Sequence, residues 1–373
     1  MRRSLNRLLV CVFLVIIGAP LAANLAGMDG ADTGENRTPA AFPSLDGSWL
    51  SIQRFAPGLD RWFQDHFGFR SHLIRWYGAS RYLGLGVSPS RYVIRGKDGW
   101  LFYREDGGIE DFANDPPLTS EEVENWRRAV IRARDWCRAR GMAYVFAIVP
   151  DKHVVYPEYF DATVRPLGTV SRTEQVLAAL AASGVVVDVR PALLAAKAQE
   201  RLYHRTDTHW NERGAYVAYR TIIEAVRRQM PAVPPPRDRS VFKASSRTSE
   251  GMDLAGIIGL RSILHEEELR LLPKDGRGYK VLQPSGGYAT GSDPLIITEI
   301  PGSTLPTAVV FRDSFASALA PFLSEHFRRT VYVWQNEFEA AFVAREGAEV
   351  VIHEIVGRRL HTFSPTPEWI PDP

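Results

Sequence analysis

The chain has two cysteines in 373 residues, Cys11 and Cys137. Cys11 lies in an N-terminal apolar run and Cys137 in a helical pattern, so neither a disulfide framework nor a cysteine metal site is expected. Charge of one sign is lacking too. Lys plus Arg is 45 and Asp plus Glu is 43, a net charge of +2. There is no basic run with interleaved aromatics of the kind a nucleic-acid binder needs. Phosphate-cradling glycine motifs and the G-x-S-x-G elbow are absent, as are internal repeats. These absences set aside nucleotide-binding and nucleic-acid classes, and no cofactor is expected.

What is present begins at the N-terminus. Arg2, Arg3 and Arg7 precede Leu8 to Met28, a stretch without charge and about the 20 residues a spanning helix needs. Acidic Asp29, Asp32 and Glu35 follow, which favours an N-terminus inside and the bulk of the chain exported. A cleaved signal peptide is the rival, but its small-x-small site is weak, so residues 1–28 are read as a retained signal anchor. Residues 29–90 read as a juxtamembrane linker and then a helical arm. From Trp49 to Tyr82 this arm is rich in aromatics and arginine, and is expected to pack on the main domain.

Residues 91–373 read as one α/β domain. Arg91 to Phe102 suggests a hairpin. Thr119 with Glu122 forms a capping box, and Gly141 supplies the helix stop. Apolar runs of strand length recur at Ala143–Val149, Val185–Val189, Ala308–Phe311, Val331–Trp334 and Val350–Ile355, with helical patterns between them. Continuous apolar strands alternating with helices imply a parallel sheet covered on both faces.

Two stretches carry chemistry. Asp207-Thr208-His209-Trp210 places an acid two residues before a histidine. In extended backbone such residues face the same side, and an acid there can orient an imidazole that takes a proton. A packed histidine beside a tryptophan is the bland alternative. His204, Asp207 and His209 as metal ligands fit no known spacing, and no metal is expected. The second stretch is Ala308 to Phe315. Ser314 falls where a strand gives way to a helix, at the carboxyl edge where ligands bind in such sheets. A serine or aspartate there is commonly only a helix cap. Ser314 is otherwise the candidate nucleophile, with helix N–H groups for an oxyanion.

Together the blocks resemble a known family. Thr206 to Asn211 with Gly214-Ala215 is similar to the Asp-x-His-Trp motif of the AlgJ/AlgX family of SGNH-hydrolase-like polysaccharide O-acetyltransferases. Lys97 to Phe102, Val149 to Lys152 with Val155 to Glu158, Arg312 to Phe315 and Val351 to Leu360 resemble its other blocks in order. The resemblance implies a flavodoxin-like, three-layer SGNH sheet and a catalytic triad of Ser314, His209 and Asp207. It implies acetyl transfer to an exported exopolysaccharide such as alginate through an acetyl-serine, in the periplasm at the inner membrane. The acetyl group would come from a membrane-bound O-acyltransferase partner. Arg312 and Lys152 are candidates to contact an acidic sugar, with a structural ion pair as the alternative for each, and Trp210 is a candidate wall against water, with packing beside His209 as its alternative. A periplasmic esterase with the same triad and a non-catalytic polysaccharide-binding subunit are the alternatives. With the chain ending soon after Leu360, no C-terminal carbohydrate-binding module is expected, which is the AlgJ type. Gly357 stands where a charged residue is expected.

Overall fold

A computed structural model describes residues 2–26, 39–160, 164–282 and 295–373. Residues 29–38 of the expected linker and residues 27–28 of the expected anchor lie outside these. The described chain divides into two compact units, one of residues 1–91 with 250–264, the other of residues 92–249 with 265–373.

The first unit is helical. α1 (Arg2–Leu25) contains the apolar window Ser4–Asn24, with mean hydropathy 2.2; its residues 4–18 are exposed, while Ala23 is buried. By length and composition it can cross a membrane. α2 (Trp49–Asp65) starts at Ser48, whose hydroxyl accepts from the Ser51 N–H at 3.1 Å. α3 (Arg70–Ala79) follows after a short turn. The sequence reading expects these aromatic helices to be packed, yet no residue of α2 is buried.

The second unit opens with an antiparallel hairpin of β1 (Val93–Arg95) and β2 (Leu101–Tyr103). α4 (Ser120–Arg138) has the expected capping box: Thr119 accepts from the Glu122 N–H, and Glu122 reaches back to the Thr119 N–H. Then come β3 (Ala143–Val149), α5 (Arg172–Leu180), β4 (Val186–Asp188) and α6 (Glu212–Gln229), capped by Asn211. β5 (Phe242–Glu250) and β6 (His265–Pro273) form a two-stranded arm. The remaining strands are β7 (Lys280–Leu282), β8 (Ile296–Glu299), β9 (Thr307–Arg312), β10 (Arg329–Trp334) and β11 (Val350–Val356). α7 (Ala316–Leu323) and α8 (Ala340–Arg345) fall between them.

The main sheet runs β4-β3-β11-β9-β10-β8-β7. Its five strands from β4 to β10 are parallel, as the apolar runs imply. β8 is antiparallel to β10 and β7 antiparallel to β8. Side chains alternate across a strand, so β3 feeds two cores. Val145, Ala147 and Val149 join Ile222, Ile223 and Val226 of α6 on one face. Tyr144, Phe146 and Ile148 join Trp126, Val130 and Trp136 of α4 on the other. The result is the three-layer α/β/α sandwich expected from the sequence.

Candidate active site

The acid-histidine stretch is a loop, not a strand. Tyr203 and Trp210 pair as an isolated antiparallel bridge, and the Asn211 N–H donates to the Leu202 carbonyl at 2.9 Å. Asp207 and His209 therefore meet through a turn of the chain and not through an extended i, i+2 arrangement. One carboxylate oxygen of Asp207 accepts the His209 backbone N–H at 3.0 Å and contacts Nδ1 of its ring at 2.7 Å. An aspartate that bonds the backbone two residues on is a turn-forming device, and here it also orients the imidazole. Burial alone would raise the Asp207 carboxyl. The hydrogen bond and charge of His209, with His204 nearby, outweigh it and hold Asp207 well below the usual carboxylate range.

An ionised Asp207 accepts from Nδ1–H, which leaves Nε2 as the free acceptor of the ring. Nε2 lies 2.7 Å from the Ser314 hydroxyl oxygen. The structure thus brings Ser314, His209 and Asp207 into one line. The base keeps contact with solvent, since its side chain is 29% exposed. Ser314 sits between β9 and α7, as expected, at the carboxyl edge of the sheet.

Neighbouring groups hold both halves of this line. The Trp210 indole N–H donates to the Phe315 carbonyl at 3.0 Å, which ties the histidine loop to the serine turn. The Phe315 ring meets the His209 ring edge-on at 4.9 Å. Trp210 is buried, so it joins the two segments and does not wall an open face.

The two cations expected at the substrate are each only 3% exposed. The Lys152 ammonium donates to the carbonyls of His204, Arg205 and Asp207 at 3.0, 3.1 and 2.6 Å. An ammonium has three donors, and here all three face the loop that carries Asp207. Arg312 donates to the Asp313 carbonyl and the Ser317 hydroxyl, both at 3.1 Å, and its guanidinium lies 4.4 Å from the Trp334 ring centroid. Both cations are thus engaged inside the protein, Lys152 by backbone carbonyls and Arg312 by a carbonyl, a hydroxyl and a ring.

The sequence reading passed over Asp313 and Glu354. One Asp313 oxygen accepts the Phe315 N–H at 2.9 Å and the other the Val356 N–H at 2.8 Å. The Asp313 N–H donates to Glu354 at 3.1 Å. Glu354 is fully buried, and burial together with the Asp313 charge pushes its carboxyl well above the ordinary range. A protonated Glu354 keeps its own negative charge out of the buried core. In sequence nothing marks the pairing, since Asp313 follows β9 and Glu354 lies inside β11.

Gly357 is explained by space. A Cβ there would lie 2.9 Å from the Thr173 hydroxyl, and the Gly357 N–H donates to the Val149 carbonyl at 2.8 Å. The charge expected there lies one residue on, at Arg358, whose guanidinium pairs with buried Asp151. Asp111, Asp151 and His153 offer ligand atoms within 4.8 Å of one another. Asp111 already bonds His153 at 3.1 Å, and Arg358 already supplies the positive charge beside Asp151.

Residues 93–269 match the family described as SGNH hydrolase-like domain, acetyltransferase AlgX. That match and the relatives below make the chain similar to the AlgJ/AlgX family. The matched AlgX-type residues include Asp207 and His209 and end before Ser314. Over 299 residues the chain is 28% identical to a probable alginate O-acetylase AlgJ of Pseudomonas syringae, covering 79% of this chain and 70% of the relative. A relative of the same name from Pseudomonas putida is 36% identical over 140 residues, 37% of this chain and 34% of the relative. In fold, the chain is similar to Bacillus cereus PatB1 solved with a sulfonyl adduct. The TM-score is 0.52 at 15% identity, covering 71% of this chain and 93% of that one.

Proposed function

We propose that the chain is an O-acetyltransferase that acetylates hydroxyl groups of an exported polysaccharide through an acetyl-serine at Ser314. The observation that carries this reading is the 2.7 Å contact between His209 Nε2 and the Ser314 hydroxyl, backed by Asp207 at 2.7 Å. The naming of the Pseudomonas relatives as probable alginate O-acetylases supports the reaction class and an alginate-like polymer.

In the first step His209 takes the Ser314 proton as the serine oxygen attacks the carbonyl carbon of an acetyl donor. The donor's leaving group departs with that proton, and acetyl-serine remains. In the second step His209 takes the proton of a sugar hydroxyl, whose oxygen attacks the acetyl carbon. The Ser314 oxygen leaves and regains its proton from His209, so the enzyme is unchanged. Asp207 keeps Nδ1 protonated throughout and stabilises the imidazolium formed in each step. N–H groups at the start of α7 stabilise the developing oxyanion. With α1 as an anchor in the inner membrane, the second unit works in the periplasm. An acetyl-delivering membrane O-acyltransferase is the partner this chemistry requires there.

The test supplies purified full chain with an activated acetyl ester, with and without oligosaccharide. Acetylated sugar that disappears with Ser314→Ala is the expected result. Acetate release indifferent to sugar would make water the acceptor, and the protein an esterase. Unchanged acetylation by Ser314→Ala would remove the catalytic reading altogether.

A further inference from the structure

The first unit carries an apolar face that its own residues leave open. Trp49, Ile52, Leu59 and Phe63 recur at helical spacing on α2, with Ala56 between, and so form one stripe. Trp49 is 73% exposed, Ile52 53% and Phe63 54%. Arg54 and Arg61 fall on the opposite side of the helix. An adjacent flank is covered: Phe55 and Trp62 meet the Phe42 ring edge-on, at 6.4 and 5.1 Å. α3 adds Trp76, 70% exposed, beside exposed Tyr77.

The same unit contains the helix apolar enough to cross a bilayer, and the two parts are joined at a defined level. Asn24, at the end of that apolar window, donates its side-chain amide to the His66 carbonyl. Gly68 packs so closely on Pro20 that a Cβ there would strike the Pro20 carbonyl. His66 and Gly68 lie in the turn between α2 and α3. That turn is therefore held where a spanning α1 leaves the hydrocarbon. Helices leaving this point with Trp, Tyr and aliphatic side chains on one face and arginine on another have the make-up of interfacial helices.

We propose that α2 and α3 lie in the headgroup layer of the membrane that α1 crosses, with the Trp49–Phe63 stripe and Trp76 at the acyl boundary. The occupant of the open face is lipid. The inference rests on the reading of α1 as a membrane span.

The experiment uses the full chain in vesicles of phosphatidylcholine and phosphatidylglycerol. An environment-sensitive fluorophore is placed on native Cys11, or at Phe63→Cys, Trp76→Cys or Arg61→Cys with Cys11→Ser. Cys137 stays unlabelled, because it is buried and burial pushes its thiol up to about 12. Labels at 11, 63 and 76 should lose most of their emission to lipid-borne quenchers, while the label at 61 keeps it. Quenching at 11 with none at 63 and 76 overturns the interfacial assignment and leaves the anchor standing. No quenching at 11 overturns the anchor and this inference together. Label-to-label quenching at 63 without lipid quenching would assign the face to a second copy of the chain and overturn lipid as its occupant.

Discussion

Two helices of this chain carry apolar stripes at nearly the same spacing and meet opposite fates. On α4 the stripe is Trp126, Val130, Ala133 and Cys137, and every member is buried. The Trp126 ring meets Phe146 and Phe363 at 5.7 and 5.9 Å, and its indole N–H donates to the Leu360 carbonyl at 2.8 Å. On α2 the stripe is Trp49, Ile52, Ala56, Leu59 and Phe63, and none is buried. Periodicity says that a face is apolar. It does not say whether protein or something else covers it. For α4 the cover is β3 and the C-terminal segment. For α2 it is, on our inference, the bilayer.

The widest separation between the two units should appear in chemistry. Ser314→Ala should lower acetyl transfer by at least about 10³-fold, since the serine acts only as part of a unit with His209 and Asp207. Steady-state rates on a soluble oligosaccharide measure this, with a melting curve to show the fold intact. Trp49→Ser should leave the same rate within about two-fold, because the α2 stripe touches no reacting atom. A large loss of rate from Trp49→Ser would end the division of labour drawn here.

Stability should divide the units next. Trp126→Ala removes a sealed side chain and leaves the Leu360 carbonyl without its donor. The cost should be about 3–5 kcal/mol, read from denaturant unfolding of the full chain in detergent. A cost below about 1 kcal/mol would mean the α4 interface is looser than its geometry.

Acid should act through the second unit as well. His326 bonds the Tyr219 hydroxyl at 2.6 Å, and His353 bonds the Asn336 carbonyl at 2.9 Å. Burial holds each down at about 4, against an ordinary value near 6.5. The folded state keeps both neutral, while the unfolded chain takes up protons below about pH 6.5. Stability is therefore full above that pH, falls as pH drops towards 4, and levels off below. Each histidine accounts for roughly 3 kcal/mol of the loss. His353→Gln should flatten the slope of unfolding free energy against pH, and an unchanged slope would refute the assignment.

How much of this was legible in the sequence depends on how far each residue reaches. β3, β9 and β11 were readable because a strand buried on both faces writes a continuous apolar run. The Thr119–Glu122 cap was readable because its two residues lie three positions apart. The line of Asp207, His209 and Ser314 needed chain-wide motif order, since its acid-base and nucleophile parts are far apart in sequence. Lys152 was not readable: its acceptors are three carbonyls more than fifty residues on, and backbone carbonyls leave no mark on composition. Glu354 and Asp313 look from sequence like two separate surface acids, and only strand neighbours bring them together. The edge strands β7 and β8 are too short to carry a period.

The smallest expected effect bears most directly on the open face. In detergent, Trp49→Ser should change the unfolding free energy of the full chain by no more than about 0.5 kcal/mol, because a side chain that remains exposed loses little when it becomes polar. Phe55→Ser, on the flank that holds Phe42, should cost more, since it removes an edge-on ring contact within the unit. The contrast between neighbouring positions on one helix controls for helix propensity, which is shared. If Trp49→Ser instead cost several kcal/mol in detergent, protein would have to cover the stripe in solution. If both substitutions were silent, the Phe42 contact would not hold α2 at all. Only a small Trp49 effect beside a larger Phe55 effect fits a helix packed on one flank and reserved for lipid on its stripe.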